Sequence, residues 1–177
     1  LESCGKLVVK NLAGELPEGA IDITEFETLS DQEPAAEDIH YGDTCAILWT
    51  SGTTGKSKGV LQPHNVWINA ALTIHNAFET KPGDVVYNCM PLYNTGAWVT
   101  SIYRAMVAGI TCAMDPHFSA SDFWNRIAFY KATETTTLGA MHMFLWKAPE
   151  KPDDANNTLR NANVIPLPPE LVKPFMK

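Results

Sequence analysis

Apolar and polar positions change rhythm at Asp43. Beyond it, short apolar runs at Cys45–Thr50, Val85–Met90, Ile110–Met114, Thr135–Leu138 and Asn163–Ile165 alternate with stretches of helical period. Runs of this length bounded by turn residues read as buried strands, and strands that alternate with helices make a parallel sheet with crossover helices. The predicted fold class is therefore α/β, with a largely parallel sheet. A helix over Asn65–Phe78 follows from Trp67, Ala71, Ile74 and Phe78 recurring three or four residues apart, with Asn65 placed to cap its free N–H groups. A second, about Thr95–Ala108, stops at Gly109, a residue able to take the left-handed conformation that ends helices. The third has Ser119 as cap, Asp122 three residues on to return the hydrogen bond, and Phe118 against Phe123 as a staple. Its Trp124, Ile127 and Ala128 are expected to face the sheet. A fourth covers Met141–Trp146, ahead of Pro149.

Before Asp43 the pattern is thinner. Leu7–Val9 reads as one strand ended by Asn11 and Gly14, and 15–43 reads as an acidic, proline-containing connector with Ile21, Ile23, Phe26 and Leu29 as anchors. The expected organisation is a strand plus connector over 1–42 and an α/β portion over 43–177. The N-terminal Leu-Glu-Ser and the C-terminal PLPPELVKPFMK, which looks like a helix just starting, read as the cut ends of a longer polypeptide.

Composition narrows the function classes. At 177 residues and 45% hydrophobic content the chain can bury a core. Its net charge is −7, yet ten of the twenty acidic residues lie in 15–43, which holds no Lys or Arg. With the acidity local and no basic, aromatic-studded stripe elsewhere, nucleic acid is not an expected partner. No apolar run approaches the ~20 residues of a membrane span, and the start lacks the basic-then-apolar pattern of a signal peptide, so a soluble, cytoplasmic protein is expected. Cys4, Cys45, Cys89 and Cys112 are widely spaced, and the histidines form no H-x-x-x-H pair, so free thiols and no protein-bound transition metal are expected.

Chemistry concentrates in Leu48–Val60, LWTSGTTGKSKGV. Small residues let backbone N–H groups converge on an anion, hydroxyls add donors, and Lys56 or Lys58 adds charge, which suits polyphosphate. Gly55-Lys56-Ser57 supplies half of the common NTPase phosphate loop, but Thr50 stands where that loop's first glycine belongs. That loop's lysine also opens a long helix, whereas Val60-Leu61 here reads as a strand before Pro63. A flexible surface turn is the bland alternative.

The run TSGTTGKSKGV, followed by Pro63-His64-Asn65, resembles the signature loop of the adenylate-forming superfamily of acyl- and aryl-CoA synthetases, firefly-type luciferases and adenylation domains. It departs from that pattern only at Ser57, commonly proline. The resemblance implies that Thr50, Ser51, Gly52, Thr53, Thr54 and Gly55 wrap the phosphates of ATP, that Lys58 is the catalytic loop lysine, and that Mg²⁺ bridges phosphate oxygens and Thr50.

Met90-Pro91-Leu92-Tyr93-Asn94-Thr95-Gly96 resembles the superfamily's second segment, which lines the acyl pocket, with Asn94 in place of the usual histidine. Tyr93, Asn94, Thr95 and Gly96 are thereby implied in substrate binding, and Asn94 in catalysis. Read from the residues alone, Asn94 is open to a second role as a turn cap, and Trp98 fits a pocket wall or the core. Leu159-Arg160 and Pro166-Leu167 resemble a third segment near the adenine, but Asn163-Val164-Ile165 stands where the family has Gly-Gly-Ala, so side chains are expected to crowd a nucleotide there.

FSASDFWNRIAFYKAT is similar to the carnitine/crotonobetaine-CoA ligase branch. The resemblance runs from Asp43 to the C-terminus, short of the family's Tyr-Gly-x-Thr-Glu segment, hinge and mobile C-terminal domain. It implies a piece of a large N-terminal domain, inactive alone, from an enzyme that joins a carboxylic acid to ATP as acyl-adenylate and then passes the acyl group to CoA. A non-catalytic remnant that binds nucleotide or a partner, and a phosphate-loop ATPase releasing ADP, are the alternatives.

Overall fold

In the computed structural model, which describes residues 7–10, 14–33, 35–50, 55–150, 152 and 154–175, the leading acidic stretch is more than a connector. Leu7–Val9 (β1) pairs in parallel with Ala20–Asp22 (β2), a strand too short to show in the sequence pattern. A 3-10 turn over Ile23–Thr28 follows, capped by the Asp22 carboxylate, which accepts from the Thr24 N–H at 2.9 Å. Of the expected anchors only Ile21 is half-buried, while Ile23, Phe26 and Leu29 are exposed. The chain divides between Asp38 and Ile39 into two compact units.

The second unit begins with a hairpin. Thr44–Thr50 (β3) pairs antiparallel with Lys58–Pro63 (β4), and His64–Phe78 (α1) continues directly from it. Asn65 does not cap this helix: its Oδ1 is buried without a hydrogen bond among the described residues. The turn before β3 does that work instead, because the His64 and Asn65 N–H groups donate to the carbonyls of Asp43 and Tyr41. At the other end Glu79 takes the left-handed conformation.

Val85–Asn88 (β5) follows, then a helical stretch in three pieces: Thr95–Ala97 (α2), a π-helical turn Trp98–Tyr103, and Arg104–Ala108 (α3), closed by Gly109 at φ 64°. Thr111–Met114 (β6), Phe123–Tyr130 (α4), Glu134–Leu138 (β7), Met141–Trp146 (α5) and Asn161–Ile165 (β8) continue, and Val172–Phe175 (α6) comes last. The strands form one parallel sheet in the order β6-β5-β7-β8. α4 starts later than the capping box predicts. Asp122 N–H closes a turn onto the Ser119 carbonyl and the Ser119 hydroxyl pairs with that of Ser121, so the helix begins at Phe123. The Phe118–Phe123 contact survives at 6.1 Å between rings. Phe123 and Ile127, with Trp124 beside them, pack on Tyr87 and Cys89, while Ala128 is exposed.

Beneath the sheet, at the N-terminal ends of its strands, lies a cluster of charges. Glu134 and Arg104 are fully buried 2.9 Å apart, though off the hydrogen-bond direction. Arg160 reaches Asp84 at 2.7 Å and Glu134 at 3.2 Å. Burial pushes the Arg104 guanidinium down from its usual value while Glu134 opposes this, and the guanidinium also lies 4.8 Å from the Phe78 ring. Burial raises the Asp84 carboxyl, but Arg160, the Lys81 N–H and Thr133 outweigh it and hold the group below the usual range.

Candidate active site

The chain passes from β5 to β6 on one side and then returns across β5 to β7 on the other. In an open α/β sheet this reversal leaves a crevice outside the carboxyl ends of the two strands, where ligands bind. The Met90–Gly96 segment emerges there. Four side chains hold it: Asn88 bonds both the N–H and C=O of Met90, Asn94 Oδ1 accepts from the Gly96 N–H at 2.7 Å, the Trp98 indole donates to the Leu92 carbonyl at 2.7 Å, and the Thr100 hydroxyl donates to the Gly96 carbonyl at 2.7 Å. Gly96 is closely packed, since a Cβ there would meet Asn94 Oδ1 at 3.0 Å and Leu138 Cδ1 at 3.1 Å and press on both side chains. The Met90–Gly96 loop thus rests on the end of β7.

Asn94 fills its cap role, and its Oδ1 is therefore committed, leaving the amide nitrogen as its donor. Thr95 opens α2, and Tyr93 stands 86% exposed at the tip of the loop. Trp98 is half-buried against Trp67, a wall of the loop more than a free gate. Beside the loop, a recess of about 140 Å³ opens between Met90–Leu92 and Met114–Pro116.

Asp115 fixes the far wall. Its carboxylate accepts from Arg126 Nε at 2.6 Å, the Tyr87 hydroxyl at 2.9 Å and the Tyr130 hydroxyl at 3.0 Å. The Arg126 hydrogen bonds, joined by the two phenols, hold the carboxyl below its ordinary 3.8 against the effect of burial. A carboxyl lowered in the folded state stabilises at neutral pH, and that contribution is lost as pH falls through the folded value. Urea unfolding from pH 7 to pH 3 should therefore show the wild-type chain losing more stability than Asp115→Asn, whereas parallel curves would remove Asp115 from the acid dependence. Next to this wall, burial pushes the Cys89 thiol up to about 11, so it stays protonated and unreactive at neutral pH. Cys45, Cys89 and Cys112 are free thiols, as their spacing predicts.

The phosphate-loop residues Ser51, Gly52, Thr53 and Thr54 lie outside the described residues. Their flanks are well placed: Thr50 and Lys58 sit opposite each other as the last pair of the hairpin, with the Thr50 hydroxyl 3.5 Å from the Lys58 carbonyl, and Gly55 has φ +83°. The chain enters strand β4 directly after Lys56-Ser57, which disagrees with an NTPase loop, where a helix would begin. Among the described residues no three His, Cys, Asp or Glu side chains converge on a metal position. A magnesium ion that arrives on ATP needs few protein ligands, and the Thr50 hydroxyl, which donates to the Lys58 carbonyl, keeps lone pairs that such an ion could use. Asn163, Val164 and Ile165 lie in β8, paired with Thr136, Thr137 and Leu138, so this stretch is regular strand instead of a glycine turn. No described helix is long and apolar enough to cross a membrane.

Sequence reasoning missed Asn88, Gln62, Glu134 and Asp115, and read Trp67 only as part of a helix face. A polar residue at a strand end was the visible signal for three of them, since Glu134 begins β7, Asn88 ends β5 and Asp115 directly follows β6.

Comparison with known proteins extends this geometry. The profile described as AMP-binding enzyme matches residues 3–177. The chain is 31% identical over 157 residues to the medium/long-chain fatty acid–CoA ligase FadD6 of Mycobacterium tuberculosis, covering 87% of this chain and 26% of that protein. It is 29% identical to human long-chain fatty acid transport protein 1, over 97% of this chain and 28% of that protein. It thus spans about a quarter of the length of these curated relatives. The o-succinylbenzoate CoA synthetase of Bacillus subtilis, solved with its acyl-adenylate intermediate, superposes with a TM-score of 0.75 at 22% identity, over 95% of this chain and 44% of that one. The N-terminal domain of FACL13 from Mycobacterium tuberculosis superposes with a TM-score of 0.71 at 23% identity, over 86% and 38% of the two chains, and shares the fold. Signature hairpin, crevice loop and parallel sheet agree with these matches, and the chain belongs to the AMP-binding enzyme family, among homologues of the acyl-CoA ligases.

Proposed function

We propose that this chain supplies the phosphate-gripping hairpin and the acid-binding loop of an AMP-forming acyl-CoA ligase. In the complete polypeptide a carboxylate attacks the α-phosphate of Mg·ATP, pyrophosphate leaves, and the thiol of CoA then takes the acyl group from the adenylate. The carboxylate is already ionised at neutral pH, so the first step requires charge stabilisation more than a base. Thr50, Gly55 and Lys58 flank the loop that would hold the β- and γ-phosphates, with Mg²⁺ shared between ATP and Thr50. Ser51, Gly52, Thr53 and Thr54 complete that loop. Asn94, with Tyr93, Thr95 and Gly96, would receive the acid. A cytoplasmic setting, where ATP and CoA are supplied, belongs to the same reading, as does the view that 177 residues do not turn over alone.

The observation that carries the proposal is the pairing of Thr50 with Lys58 at the mouth of the hairpin, in a fold whose crevice loop carries Asn94. Its test is carboxylate-dependent ATP–pyrophosphate exchange by the complete polypeptide, with short, medium, long and carnitine-like acids. The best acid would name the substrate and test the kinship with carnitine/crotonobetaine-CoA ligases. Absence of exchange with nucleotide binding intact would favour a non-catalytic remnant, a reading supported by the branched side chains of Val164 and Ile165 where a glycine turn is usual.

Asn94 gives a sharper expectation. Asn94→Asp keeps the acceptor that caps Gly96 but replaces the donor amide with a negative charge facing a carboxylate. Exchange should fall about 100-fold, the scale of a lost charge-stabilising donor, with ATP affinity unchanged. Equal rates would assign Asn94 to the cap alone.

A further inference from the structure

A buried indole lies between the hairpin and the crevice loop. Trp67, on the first turn of α1, is 4% exposed, and its Nε1–H donates to Gln62 Oε1 at 3.1 Å. Gln62 lies in β4, whose other end carries Lys58. On its opposite side the Trp67 ring meets Trp98 at 5.8 Å and Tyr103 edge-on at 5.0 Å, and Trp98 holds the Leu92 carbonyl of the acid loop. The hairpin is a separate two-stranded sheet, not hydrogen-bonded to the four-stranded sheet on whose end the acid loop rests. Backbone pairing therefore does not set the distance between the two loops, and side chains must.

We infer that Trp67 is a positioning residue that sets the phosphate hairpin against the acid loop, acting through Gln62 on one side and Trp98 on the other. The inference rests on the adenylation reading above. An in-line attack of carboxylate on phosphorus depends on the relative placement of two substrates held by different elements, and a displacement near 1 Å can cost about 100-fold. Trp67 is not among the residues assigned above to either substrate. A loosened joint therefore lowers turnover of the bound pair while each substrate still binds.

The test is a double-mutant cycle in the complete natural polypeptide, read by pyrophosphate formation with both substrates varied. Trp67→Phe keeps the ring and removes the N–H donor, whereas Gln62→Met removes the acceptor. Each should lower kcat about 10-fold with both KM values within about twofold, and the double variant should be no worse than about twofold below either single one, because both break the same link. Gln62→Glu, which keeps an acceptor, should stay within about twofold of wild type. Wild-type kcat in Trp67→Phe, a loss confined to one substrate's KM, or effects that multiply would each overturn the inference. Gln62 is only half-buried in a hairpin strand, so its variants decide the matter should Trp67→Phe fail to fold. If the wild-type polypeptide shows no acid-dependent exchange, the adenylation reading fails instead, and the two failures are told apart by that control.

Discussion

Replacing Glu134 by alanine is expected to destabilise the chain by about 3–5 kcal/mol, the cost of leaving a buried charge without its partner. Glu134 faces Arg104 at 2.9 Å and Arg160 at 3.2 Å, and accepts from the Thr80 hydroxyl at 3.1 Å. Arg160 retains Asp84 when Glu134 is lost, and it reaches water. Arg104 has neither recourse: it is fully buried, and its Nε, Nη1 and Nη2 make no hydrogen bond among the described residues. An arginine keeps its proton, so the charge cannot be shed. For a chain of this size the loss corresponds to a Tm lower by roughly 10 °C, measurable by thermal unfolding. Removing both charges, as Arg104→Met with Glu134→Leu, should recover most of it, because an apolar pair of similar volume serves as well as a buried ion pair. A single Glu134→Ala variant within 1 °C of wild type would show that water reaches the cluster and relieves it.

Lys58→Ala should reduce acid-dependent pyrophosphate formation by the complete polypeptide about 100-fold while leaving its stability unchanged. The side chain is exposed and makes no ion pair among the described residues, so its removal opens no cavity. Its position is nonetheless set by the register that places Thr50 opposite Lys58, with the Gly59 that follows lying under Trp49 and Ile47. On the proposed mechanism a lysine at this position would neutralise charge on the leaving pyrophosphate, and loss of one such group costs about 100-fold or more in oxyanion-stabilising sites. An exchange rate equal to wild type would take Lys58 out of the mechanism and leave the loop to its backbone and hydroxyls.

Much of this was legible in residue order. Gly109 ended its helix where φ is 64°, and Met141–Trp146 formed the predicted α5. The signature run announced the family, because a phosphate-gripping loop needs particular residues at consecutive positions. Errors fell at helix starts. Asn65 and Ser119 look like caps, but whether they cap depends on what lies across from the free N–H groups, and at α1 two distant carbonyls already satisfied them. Ala128 was placed inward by helical period, yet the buried stripe of α4 runs through Phe123, Ile127 and Tyr130 and leaves Ala128 exposed.

The sequence by itself determined the alternation of strands and helices and the chemistry of the loop, since both depend on neighbours within a few residues. Only the tertiary structure decided which polar residues work together. Glu134 and Arg104 lie thirty residues apart, as Arg160 and Asp84 lie seventy-six. Gln62 is near Trp67 in sequence, but the Trp98 that completes its link to the acid loop comes from another helix. The strand order β6-β5-β7-β8 brings the charged residues together, and the packing of α1 on the π-helical turn brings Trp67 to Trp98; both follow from which apolar faces bury each other across the fold.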